Sequence, residues 1–146
     1  MTRVLVVDDQ QDIRELLKTV LEVRGFEVEQ AVGGLEALAL LTAADQFDLI
    51  LLDVQMPQMD GWDTLAAIRD RYGEAGPRVV LCTVKGHPRD LVHGWKLGCD
   101  GYVWKPFDVT AIVDEVTAVI GRTAADRPRA RRTAIAAAET TLRALT

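Results

Sequence analysis

The sequence predicts an α/β fold, a parallel sheet wound with helices on both faces, and three observations predict it. Short, nearly continuous apolar runs recur at residues 3–7, 48–52 and 78–82. Runs of that kind are buried on both faces, as the strands of a parallel sheet are. The segments between them carry apolar residues at helical spacing, and alternation of strand and helix forces right-handed crossovers. Two of the runs also end in chemistry-bearing side chains, Asp8-Asp9 after the first and Asp53 after the second. In open sheets of this type, ligands bind at that carboxyl edge.

The elements follow in order. Residues 3–7 form the first strand. Ile13, Leu16, Leu17, Val20 and Leu21 then place one apolar stripe on a helix over residues 11–24, stopped by Gly25. Residues 26–29 alternate as a shorter, peripheral strand, which Gly33-Gly34 breaks. Leu35, Leu38, Ala39 and Leu41 mark a second helix. Residues 48–52 are the third strand, and Trp62, Leu65, Ala66 and Ile68 mark a third helix ended near Gly73. A fourth strand covers 78–82, and a fourth helix runs from Pro88, tolerated in a first turn, to Gly98. A fifth strand covers about residues 101–104. Asp108 caps a fifth helix whose inner face carries Ile112, Val113, Val116, Val119 and Ile120. Five strands and five helices in this spacing fit a flavodoxin-like (βα)5 domain over residues 1–121, with strand order 2-1-3-4-5.

The chain has 146 residues, 49% of them apolar and 27% charged, a balance suited to one globular core. No apolar stretch approaches the length of a membrane span, and no signal peptide is expected ahead of the first strand. Cys82 and Cys99 read as small buried hydrophobes without metal spacing, which points to a reducing, cytoplasmic setting. His87 and His93 read as surface residues near the fourth helix. The net charge of −5 divides unevenly: residues 122–146 carry +4 and the remainder −9. An acidic body of this kind excludes direct nucleic-acid binding by residues 1–121. In the tail, residues 127–132 read as a linker. Ile135, Ala138, Leu142 and Leu145 share one helical face, too thin to hold a free helix in water; residues 122–146 are expected to be a linker or an extra helix, frayed at the surface.

Three strand ends gather three acids and one lysine: Asp8 and Asp9, Asp53, and Lys105 within Tyr102-Val103-Trp104-Lys105-Pro106. These are the parts needed to hold a divalent cation and to handle a phosphoryl group. Crowded carboxylates repel one another, and a hard cation relieves that repulsion while keeping some of its waters. Phosphoryl transfer has a loose transition state, so positioning and charge neutralisation supply most of the catalysis, and even a carboxylate serves as nucleophile.

Taken together, the motifs resemble the receiver domain of bacterial two-component response regulators. They are the pair Asp8-Asp9, Asp53 with Met56-Pro57-Met59-Asp60-Gly61, Thr83, and Lys105-Pro106-Phe107, supported by Ala31, Gly34, Glu36-Ala37-Leu38 and Gly98. The resemblance spans residues 1–121. It implies that Asp53 accepts a phosphoryl group from a sensor histidine kinase or phosphotransfer protein. It implies Mg2+, replaceable by Mn2+, held by Asp9, Asp53 and the backbone carbonyl of Gln55, with Asp8 acting through water. Lys105, aimed inward by a cis bond to Pro106, pairs with Asp53 at rest and with a phosphoryl oxygen afterwards. Thr83 and Tyr102 are the implied switch pair, and the surface of the fourth helix, fifth strand and fifth helix is the implied output face. Trp95, Tyr102 and Trp104 lie there as candidate anchors, for a phosphorylation-dependent homodimer among other partners.

The chain departs from that pattern at Val84, where a smaller residue is usual; its branched side chain is expected to narrow access to Asp53. Gln55 and Lys85 flank the site and are expected to tune phosphoryl lifetime. Two other readings compete. A Mg2+-dependent aspartyl-phosphate hydrolase would carry an acid two residues after its nucleophile, where this chain has Gln55. A DNA-binding regulator would continue beyond the Arg-rich tail, because 25 residues cannot form a helix-turn-helix core. No separate substrate turnover is expected.

Overall fold

The computed structural model describes residues 2–84 and 86–146. It contains five strands, β1 (Arg3–Val7), β2 (Glu27–Ala31), β3 (Leu49–Asp53), β4 (Arg78–Thr83) and β5 (Gly101–Trp104). They alternate with helices α1 (Gln11–Val23), α2 (Gly34–Leu40), α3 (Gly61–Tyr72), α4 (Pro88–Leu97) and α5 (Val109–Ile120), and a sixth helix, α6 (Asp126–Ala144), follows. All strand pairs are parallel, in the order β2-β1-β3-β4-β5. The strand order read from the sequence is therefore the one observed.

Strand side chains alternate between the two faces, and the core divides accordingly. Leu5, Val7, Ile50, Leu52, Val79 and Leu81 pack under α2, α3 and α4 with Leu65 and Ile68. Val4, Val6, Leu49, Leu51, Val80 and Val103 pack under α1 and α5 with Leu17, Leu21, Ile112 and Val116. Removing any one such large side chain from water is worth about 1.5–3 kcal/mol, which is why the central strands carry no polar residue until their ends. Cys82 and Cys99 are both buried and unpaired with each other, and burial pushes both thiols up, out of the range of a reactive thiolate.

Helix ends explain themselves locally. Asp60 caps α3 by accepting from the Asp63 N–H at 2.9 Å. Asp108 caps α5 by accepting from Thr110 and Ala111, as expected of that residue type. His87 lies just before α4, where its ring nitrogen accepts from the Arg89 N–H at 3.1 Å. Gly98 ends α4 at φ 104°, a left-handed conformation that favours glycine.

The tail differs from a linker. Residues 127–132 lie inside α6, whose third residue is Pro128, a first-turn position where the missing N–H removes no helical bond. The helix packs along α4, so tertiary contact supplies what its composition alone does not. Among the described residues, no helix is long and apolar enough to cross a membrane.

Candidate phosphoryl-transfer site

The sheet register builds the site. Val7 pairs with Leu52, which sets the residues that follow them, Asp8 and Asp53, side by side past the end of β1 and at the end of β3. Thr83 pairs with Trp104, and the Lys105 N–H donates to the Thr83 carbonyl at 3.0 Å, which seats Lys105 just beyond β5. The Lys105–Pro106 peptide is cis. The Lys105 ammonium lies 3.1 Å from Asp8 Oδ2 and 3.2 Å from Asp53 Oδ1.

Asp8, Asp9 and Asp53 each offer an oxygen, all within 4.8 Å of one another. Asp8 and Asp53 are buried, Asp53 at 3% exposure, while Asp9 is open to solvent. Three carboxylates against one ammonium leave a charge of about −2 in a pocket with a solvent-facing mouth, and an oxygen-only donor set suits a hard divalent ion. The residues present therefore fit Mg2+. Burial pushes the Asp53 carboxyl above its ordinary 3.8, the charge of Asp8 adds to this, and Lys105 opposes it. Burial also works against the Lys105 ammonium, but Asp53 and Asp8 outweigh it and hold the lysine above its ordinary 10.5.

Hydrogen bonds position Asp8 and Asp53. The Gln10 N–H donates to Asp8 Oδ1 at 2.9 Å, and the Arg14 guanidinium donates to the Asp8 carbonyl at 2.8 Å. The Gln55 N–H donates to Asp53 Oδ1 at 3.3 Å. Gly61 begins α3 directly against the backbone of Asp53 and Val54. A Cβ there would stand 2.4 Å from the Asp53 carbonyl oxygen and 2.7 Å from Val54 Cα. Backbone cannot yield as a side-chain tip does, so Gly61→Ala should cost about 1–3 kcal/mol in a urea melt and displace Asp53 as well.

Thr83 is buried at the end of β4, and Val84 stands outward at 58% exposure. Lys85 lies outside the described residues. Tyr102 points inward at 9% exposure, its hydroxyl donating to the α4 carbonyls of Asp90 and Leu91 at 3.0 and 3.1 Å. Gly94 makes room for it: a Cβ there would fall 1.9 Å from the Tyr102 hydroxyl. Trp104 stacks on Tyr102 at 5.5 Å and Trp95 meets it edge-on at 5.7 Å. These aromatics thus pack on one another, with Trp104 still 46% exposed. His93 is exposed on α4 and meets Trp62 edge-on.

A second constellation escaped the sequence reading. Asp100, at the mouth of β5, is buried among three guanidinium groups, with Arg69 at 3.0 Å, Arg127 at 2.9 Å and Arg131 at 3.2 Å, and it also accepts from the Val79 N–H. Its only trace in the sequence is an acid between Cys99 and Gly101, where neighbours are apolar.

A family model described as the response regulator receiver domain matches residues 4–117. Over 122 residues the chain is 41% identical to the transcriptional regulatory protein CpxR of Escherichia coli K12, an alignment covering 84% of this chain and 50% of that protein. The chain thus spans about half the length of that relative. Among solved structures, the chemotaxis protein CheY4 of Vibrio cholerae superposes with a TM-score of 0.76 at 34% identity, covering 82% of this chain and 98% of CheY4. The response regulator TrrA of Thermotoga maritima, in complex with Mg2+ and BeF, does so with a TM-score of 0.71 at 34% identity, covering 82% and 99%.

Proposed function

The chain belongs to the response regulator receiver family, and from that premise we propose that Asp53 is its phosphoacceptor. The observation that carries the proposal is the triad of carboxylates closed by one ammonium, with Lys105 bridging Asp8 and Asp53. An Asp53 carboxylate oxygen attacks the phosphorus of a phosphohistidine on a sensor kinase or phosphotransfer protein. The O–P bond forms, the P–N bond breaks, and the imidazole leaves with the electron pair and takes up a proton. Lys105 then exchanges its carboxylate partner for a phosphoryl oxygen. Asp8, Asp9, Asp53 and the Gln55 carbonyl would hold Mg2+, or Mn2+ in its place, and the ion would neutralise charge on the transferring group. Thr83 and Tyr102 act as the switch pair, and the α4–β5–α5 surface as the output face. A homodimer formed on phosphorylation is the simplest assembly that face serves.

The setting is cytoplasmic, and the acidic body works through protein contacts, while any nucleic-acid contact would belong to other segments. No substrate other than the phosphodonor is turned over. Transfer of labelled phosphate from a kinase tests the reading: label should enter the wild type with Mg2+ and be lost with chelator or in Asp53→Asn. Label entering Asp53→Asn at the wild-type rate would overturn it.

Gln55 and Val84 tune the site. Val84 directly follows Thr83 and is exposed, so Val84→Ala should raise the rate of labelling by acetyl phosphate several-fold while leaving stability within about 0.5 kcal/mol. Equal rates would remove the steric role of Val84.

A further inference from the structure

The sixth helix does more than terminate the chain. Arg127, Arg131, Ala134 and Ala138 fall at i, i+4, i+7 and i+11, one face of α6, and Arg127 and Ala138 are buried. Arg127 donates to both Asp100 oxygens and to the Glu74 carbonyl. Arg131 donates to the carbonyls of Gly98 and Cys99, just past the end of α4, to Asp100 and to the Glu74 carboxylate. Farther along, Ala130 and Ala134 line a cavity of about 350 Å³ shared with Leu91, Trp95, Tyr102 and Trp104. The helix therefore lies against α4 and over the aromatics of β5.

How it is held matters. Besides arginine and alanine, the inward face carries the half-buried Ile135 and Leu142, the packing over the aromatics leaves a cavity, and Leu145 past its end is exposed. The Lys96–Glu139 pair, at 4.0 Å and exposed, adds little. The polar clamp lies at the N-terminal end, and along the rest of the helix the one buried side chain is Ala138, so the C-terminal part is the less firmly held. The connector, residues 121–125, is short, so a released helix still meets its face at an effective concentration on the order of millimolar.

We propose that α6 is an intramolecular latch that covers the α4 edge of the α4–β5–α5 face, so that a second protein reaches this edge only after α6 leaves it. This rests on the reading of that face as the output surface. The chemistry of the seat defines what fits it: a helix carrying arginine for the Asp100 carboxylate and the Gly98 and Cys99 carbonyls, with small residues over Trp95 and Trp104.

A fluorescent peptide of residues 122–146 probes the seat on the full chain. Ala138→Glu puts a carboxylate at a buried position of α6 and should displace the chain's own helix. Arg131→Ala weakens the clamp independently, without a new buried charge. Both variants should bind the peptide at least about tenfold more tightly than the wild type, which fills its own seat. Hydrogen exchange across α6 should quicken in both, with the sheet amides unchanged. Equal affinity for wild type and variants, or no binding to any of them, overturns the latch. The peptide result needs no phosphate, and phosphate labelling of Asp53 in the same proteins reports separately on the receiver reading.

Discussion

Lys105→Met slows phosphoryl acceptance by about a hundredfold or more, on the scale set by removing one preorganised charge-stabilising donor from an active site. The ammonium stands 3.2 Å from Asp53 Oδ1 and 3.1 Å from Asp8 Oδ2. It is the only cation in contact with those two buried carboxylates among the described residues. Methionine keeps most of the length of the side chain and removes its charge. Two consequences oppose each other. The resting Asp53 loses its ion pair, which frees the nucleophile. The transferring phosphoryl group loses a fixed positive charge, which raises the barrier. The second dominates, because a metal ion can relieve carboxylate repulsion at rest, whereas the lysine's place on the phosphoryl oxygens has no substitute. Single-turnover transfer from a phosphorylated kinase at saturating Mg2+ measures the effect. A rate within threefold of wild type would remove Lys105 from the chemistry.

Asp100→Ala lowers stability by about 3–5 kcal/mol, the range for removing one partner of a buried ion pair. Arg127 is only 5% exposed, and without Asp100 its guanidinium stays buried facing Arg69 and Arg131, all cationic. Burial pulls Arg69 down to about 10, still charged at neutrality, so the three cations would repel. Urea melts at neutral pH read the loss. The pH dependence carries a sign. Burial alone would raise the Asp100 carboxyl, but the hydrogen bonds and charge of Arg127, with Arg69, hold it below its ordinary 3.8. A carboxyl depressed by folding contributes stability above its unfolded value, and that contribution disappears as pH falls through the folded one. The gap between wild type and Asp100→Asn should therefore be full above pH 3.8 and close only in stronger acid. A gap that closes on raising the pH toward neutrality would contradict the assignment.

The fold and the main site were legible because each rests on local sequence. Uninterrupted apolar runs of about five residues bounded by turn residues read as buried strands, and an acid ending such a run marks the carboxyl edge. Residues 4–7, 49–52 and 79–82 are in β1, β3 and β4. Asp60 and Asp108 are N-caps that their residue types announce. The Asp100 cluster was not legible, because its members lie far apart in sequence and each alone looks like a surface charge. Nor was α6. Arg127 and Arg131 beside Pro128 have the composition of a linker, and the acceptors that bury them, Asp100, Glu74 and the carbonyls past α4, are brought close only by the folded sheet. Tyr102 and Trp104 were placed on one side of β5 by period alone, but whether they face solvent depends on a helix beyond the strand.

Reductive trapping tests the central claim most directly. Borohydride converts an aspartyl phosphate to homoserine, so the chain is phosphorylated with Mg2+ present, reduced, digested and mapped by mass spectrometry. Homoserine at position 53, absent from samples given chelator, is the predicted result. Homoserine at Asp8 or Asp9, or none at all despite bound phosphate, would contradict it.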